Sequence, residues 1–114
     1  MDAFDRVTTL GLALPGVEAA AKYDGSPILK LGGAFMAGLA ARRTAEPGTL
    51  VVRADLDDRE AMIADAPGTY YLTDYHRRYP VVLVRLSAID DEALRDVLSM
   101  SWRLTEAKAR KRRP

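Results

Sequence analysis

The residues best suited to do chemistry lie in one stretch, "TYYLTDYHRRYP", Thr69 to Pro80, which holds four of the five Tyr, the only His and two adjacent Arg. Tyr rings can stack on bases and Arg guanidinium groups can hold a phosphate through paired N–H donors. Such interleaving fits a single-stranded nucleic acid or a phosphate-bearing ligand. The structural alternative is that alternate members of Tyr70, Tyr71, Leu72 and Tyr75 cover the two faces of a sheet, because Tyr is a good strand residue. Tyr75, His76, Arg77 and Arg78 are the binding candidates from this stretch. Arg42 and Arg43 in "ARRTAEPGT" join them, since they fall at an expected hairpin tip that can present charge to phosphates.

The same residues give little to catalysis. General acid–base work needs a titrating group held against a partner, and His76 stands beside two Arg whose charge disfavours its protonated form without orienting it. The glycines of "GVEAA", "LGGAF" and "PGT" lack the strand, loop and helix context of a nucleophile elbow, a phosphate-binding loop or a dinucleotide fingerprint. There is no Cys, hence no thiol nucleophile, disulfide framework or thiolate metal site. Asp55, Asp57 and Asp58 resemble a metal cluster only at first sight. Asp57 is placed to cap a short helix with Glu60 three residues later to answer it, and carboxylates at a helix start ordinarily serve its unpaired backbone N–H groups. No catalytic residue, metal site or cofactor is expected, and the chain is not expected to be an enzyme.

The elements that must position these residues follow from periodicity. Phe4, Val7, Leu10 and Leu14 paint one face of a first helix that Pro15 and Gly16 stop. Short strand segments come next, Val17 to Tyr23, Ile28 to Leu31 and Ala34 to Ala41, divided by "DGSP" and by Gly32 with Gly33, and these turn signals predict antiparallel hairpins. "LVVRAD" from Leu50 continues the sheet, with Leu50 and Val52 on one face and Val51 and Arg53 on the other. A second helix lies in "LDDREAMIADAPG", ended by Pro67 and Gly68, and "TYYL" and "VVLVRL" add two strands, the second apolar enough to be central. A last helix starts at a cap on Asp90 and buries Ile89, Leu94, Val97, Leu98, Ser101 and Trp102, whose indole N–H needs one partner. Lys22 and Lys30 are read as solvent-facing or snorkelling. The order α, three or four strands, α, two strands, α predicts an α+β two-layer sandwich, an antiparallel sheet of about five to six strands backed by helices.

At 114 residues, 48% of them hydrophobic, the chain suffices for one core. A single domain over residues 1–106 is expected, followed by a basic tail over 107–114 that frays into solvent. Six of the 17 bases and one of the 16 acids lie from Arg103 onward, so the preceding residues carry 11 bases against 15 acids. An acidic body lacks the general basic footprint of a duplex binder, and any polyanion attraction must be local. The acids of "MDAFDRV" do not match a secretory signal, and the apolar run from Leu31 is too short to span a bilayer. A soluble cytoplasmic protein with no membrane partner is expected.

The stretches "LALPGVE", "KLGGAFMAGL", "LVVRADLDDREAMI", "YP" leading into "VVLVRLSAID", and "LRDVLSMSWRL" together resemble the MmcQ/YjbR family, from Phe4 to Leu104. The resemblance implies an α+β domain similar to type III secretion chaperones and, more loosely, to frataxin-like proteins. It also implies a DNA-binding protein with a double-wing motif, a label carried by fold analogy. Many members have an aromatic after a His or basic residue just before the last strand, where this chain reads "HRRYP". Two roles are therefore expected. One is a DNA or polyanion binder that uses the Arg pairs and the basic tail. The other is an interaction or chaperone-like module, self-associating or binding a partner protein through an exposed sheet edge or the apolar surface around Met36 and Met100.

Overall fold

The computed structural model describes residues 3–112. Among them α1 (Phe4–Leu12) leads into β1 (Val17–Ala21), β2 (Pro27–Leu31), β3 (Ala34–Leu39) and β4 (Thr49–Arg53). Then come α2 (Leu56–Asp65), β5 (Tyr70–Tyr71), a single 3-10 turn at His76–Arg78, β6 (Val81–Arg85) and α3 (Asp91–Arg112). The six strands form one sheet in the order β1-β2-β3-β4-β6-β5, antiparallel at every pairing. This is the expected α+β architecture, with β6 inside the sheet and "TYYL" reduced to a two-residue edge strand.

The pairing register sorts side chains between the two faces. One row runs Ala19, Leu29, Ala37, Val52 and Val82, and a parallel one Leu39, Leu50, Val84 and Tyr70. All of these but the exposed Ala19 pack with Phe4 and Val7 of α1 and with Leu94, Val97 and Leu98 of α3 into the main core. Fully buried side chains such as Leu29, Leu50, Leu94 and Leu98 each contribute about 1.5–3 kcal/mol. The opposite face runs Ala20, Ile28, Gly38, Val51, Leu83 and Tyr71. There Ala45, Val51 and Leu83 form a second, smaller cluster with Phe35, Ala40, Tyr71 and Val81, under the β3–β4 connection.

Several local expectations change. The cap of α2 is Asp55, whose carboxylate accepts from the Asp58 N–H at 2.8 Å, so Asp57 sits within the first turn and the helix begins earlier than the Asp57–Glu60 spacing predicts. Asp90 caps α3 as expected, accepting from the Ala93 N–H. α3 continues through Arg112, so residues 107–112 are helical and not frayed, while Arg113 and Pro114 of the expected tail lie outside the described residues. Met36 is fully buried, because it faces the helices from β3, and it offers no apolar surface to a partner. Trp102 packs half-buried on the flank of the main core and donates its indole N–H to the Pro15 carbonyl at 2.8 Å. No helix among the described residues is long and apolar enough to cross a membrane.

Candidate ligand groove

On the face away from the main core, β3 and β4 stop pairing after Ala37 and Val52. Where they part, the Arg53 guanidinium reaches across to the Phe35 carbonyl, at 2.8 and 3.2 Å. A cavity of about 320 Å³ opens there, floored by Phe35, Val51 and Val81 and walled by Tyr75, His76 and Tyr79, with Lys108 of α3 at its border. A second cavity of about 250 Å³ shares Phe35, Val51, Tyr75 and His76 and extends to Arg42 and to Lys22 and Tyr23 at the β1–β2 turn. Together they make one groove over the sheet.

The wall is built by Arg59. This α2 residue is only 5% exposed, and its Nη1 donates to the carbonyls of Tyr79 at 2.8 Å and Val81 at 3.2 Å, its Nη2 to that of Arg77 at 3.3 Å. A guanidinium fork can satisfy several carbonyls at once, which lets the segment from Thr73 to Pro80 cross the sheet without a strand ladder of its own. Tyr75 then stands at the centre. The Arg42 guanidinium lies 3.5 Å from its ring centroid and that of Arg78 5.9 Å. Tyr79 leans on it at 5.4 Å with the rings tilted 48°, and the His76 ring meets it edge-on at 5.1 Å. The Tyr79 hydroxyl is held above the usual phenol value, first by its hydrogen bond with Tyr75.

His76 is held by Thr73, whose hydroxyl oxygen lies 2.7 Å from Nδ1 and accepts the His76 backbone N–H at 3.2 Å. The Thr73 hydroxyl, with one proton and two lone pairs, can meet Nδ1 as donor or as acceptor, so it fixes the ring's position in either tautomer. The ring's pKa is lowered below its ordinary value near 6.5, chiefly by burial and then by the charges of Arg42 and Lys22. Arg77 and Arg78 are not among those causes, contrary to the expectation from adjacency. Just below pH 6.5 the unfolded chain takes up a proton that the folded ring resists. Urea midpoints are therefore expected to fall as pH drops through 6.5 and to level off below the folded-state pKa. His76→Asn, whose amide can still meet Thr73, should flatten that slope.

Of the expected site residues, the fold brings Arg42, Tyr75, His76 and Arg78 together. Arg77 turns away into a separate cavity beside Glu60, Pro67 and Tyr71, because successive residues of the 3-10 turn point in different directions. Arg43 is exposed and, like Arg78, lines neither part of the groove, but Arg78 reaches the Tyr75 ring where Arg43 does not. Tyr70 faces the helices, and Tyr71 is locked on the other face, with Arg85 over its ring at 4.2 Å and its hydroxyl bonded to Thr49 and to the Glu46 N–H. The β3–β4 connection is therefore tied down: Ala45 is buried, and Glu46 receives Arg85 Nη2 at 2.7 Å. Arg85 in turn pulls the Glu46 carboxyl below its usual range.

Sequence reasoning missed Lys22, Tyr23, Phe35, Arg53, Arg59 and Lys108. Tyr23, expected at the end of the first strand, lies beyond β1 and wholly exposed at the rim; the usable signal was its place directly before the "DGS" turn. Lys22, read as solvent-facing or snorkelling, is half-buried at the groove.

A family model described as YjbR matches residues 12–104. Over 42 residues the chain is 43% identical to uncharacterised proteins Rv2570 and MT2646 of Mycobacterium tuberculosis and Mb2600 of Mycobacterium bovis. That alignment covers 37% of this chain and 33% of each relative. No solved structure matches.

Proposed function

The chain belongs to the YjbR family, and on that premise we propose that it is a non-enzymatic nucleic-acid-binding module whose contact surface is the groove around Tyr75. The observation that carries the reading is the convergence of Arg42 and Arg78 on the Tyr75 ring beside the exposed Tyr79. The guanidinium groups supply phosphate contacts and the rings supply stacking area, drawn from separate segments onto one face. The acidic balance of the preceding residues confines attraction to this patch and to the basic end of α3.

The test is fluorescence anisotropy of a labelled oligonucleotide titrated with the full chain across a range of salt. The logarithm of affinity is expected to fall linearly with that of salt concentration, and Lys22→Ala with Arg42→Ala should reduce the slope by about one to two. Binding that disappears on deleting the residues after Lys108, and ignores both substitutions, would be adhesion to the helix end and would overturn the reading. The open edge of β1 favours a second reading, an interaction module that pairs strands with a second copy or a partner protein. A concentration-independent monomer by sedimentation would remove its homodimer form.

A further inference from the structure

We propose that the groove takes an unstacked base of a single strand, so that the chain discriminates single-stranded from duplex nucleic acid. This rests on the nucleic-acid reading above and names the form of the ligand. Four observations carry it.

The first is shape. A duplex is read by a helix or ribbon that protrudes into one of its grooves. The β3–β4 connection that carries Arg42 cannot serve in that way, because Ala45 is buried under it and Glu46 is fastened to Arg85 and to the Tyr71 hydroxyl. What remains is a concavity, with the larger part at about 320 Å³, near the lower end of pockets that enclose small ligands.

The second is the lining. Phe35, Val51 and Val81 form an apolar floor, and Tyr79, 42% exposed, stands at its wall. A π-face and an apolar floor fit the face of a base, which a duplex keeps inside its own stack and a single strand can turn outward. Tyr23, wholly exposed at the far rim, offers a second face for a neighbouring base.

The third is the placement of donors. The Arg42 guanidinium sits over the Tyr75 ring at 3.5 Å, where its N–H groups can serve a phosphate, and Lys22 lines the same cavity. Asp24 lines this part of the groove as well, with its carboxylate engaged by the Ser26 N–H and hydroxyl, so the two cations set the sign there. The fourth is His76, buried among these groups with Nδ1 held by Thr73 and its pKa lowered. A neutral imidazole keeps one donor and one acceptor nitrogen, and the one that Thr73 does not hold can meet a polar edge of a base.

The experiment measures anisotropy with the full chain against a short labelled oligonucleotide, the same oligonucleotide annealed to its complement, and a free nucleoside monophosphate as competitor. The single strand is expected to bind tighter than the duplex by about 5- to 100-fold. Tyr79→Ala should lose a similar factor on the single strand and leave the duplex unchanged, while Tyr79→Phe, which keeps the ring, should bind as the parent does. Far-UV circular dichroism on both variants separates lost binding from lost folding. Equal or tighter duplex binding, or equal weakening of both forms by Tyr79→Ala, overturns the inference and leaves the nucleic-acid reading standing. Displacement by the monophosphate at concentrations comparable to the strand also overturns it, in favour of a mononucleotide site. Binding of neither nucleic acid overturns the parent reading as well.

Discussion

Replacing Arg59 with Met is expected to cost about 2–4 kcal/mol of folding stability, read from denaturant midpoints at unchanged slope. The side chain is 5% exposed and its Nε has no hydrogen-bond partner, so its burial is sustained by the carbonyls of Arg77, Tyr79 and Val81. Hydrogen bonds from a charged donor contribute about 1.5–3 kcal/mol each, and Met restores apolar volume but no donor. Tyr79 O would keep the Val81 N–H at 2.8 Å, so the loss is smaller than three full bonds. Arg59→Lys should recover less than half, because an ammonium cannot fork across three acceptors. The consequence for function is distinct from the loss of stability. Since this guanidinium holds the segment bearing Tyr75 and Tyr79, oligonucleotide affinity should fall even where Arg59→Met is fully folded, and backbone exchange should rise first around His76 to Tyr79. A cost under about 0.5 kcal/mol, typical of a surface change, would refute the clamp.

The role of Arg59 is not legible in its own stretch of sequence. In "LDDREAMIAD" it stands among acids on a helix of weak amphipathicity, and nothing local distinguishes a buried Arg from a solvated one. Its burial depends on the carbonyls of a segment some twenty residues away. The strands and their hairpins were legible because alternation and positive-φ glycines are local: Gly16, Gly32, Gly33 and Gly48 all adopt φ between 59° and 79° where turns are required. The alternation of Leu50 and Val52 against Val51 likewise holds, dividing the main core from the second cluster. Arg77 and Arg78 were legible as a pair but not as divergent, because a strand or loop assignment does not anticipate the 3-10 turn that separates them. Met36 misled for a related reason. Its neighbour Ala37 also faces the main core, and a register shift at Leu29/Lys30 breaks the simple alternation. The rest of the groove could not be read, since Lys22 and Lys108 join Tyr75 through the sheet and α3, not through sequence proximity.

Ser101→Ala is expected to be the second most damaging change, about 2–3 kcal/mol, although it deletes one oxygen. Ser101 is fully buried, and its hydroxyl donates to the Met36 carbonyl at 2.6 Å while accepting the Arg53 N–H at 3.2 Å. It thus stands in for the ladder bond that β3 and β4 cannot make where they separate, and the separation is what opens the groove. Alanine leaves both backbone groups without that partner in a dry place, at about 1–3 kcal/mol for each group left unmade. Cysteine, a weak donor and acceptor of similar shape, should fall between the two. The diagnostic readout is local. Exchange of the Arg53 amide should accelerate more than that of Leu50 or Val52, and the sole Trp, Trp102, one residue along α3, reports the global transition by fluorescence. If Arg53 exchanges no faster than its neighbours, the hydroxyl is not the bridge. The strands would then be held apart by the packing of Phe35 and Arg53 alone, and the shape of the groove would be independent of α3.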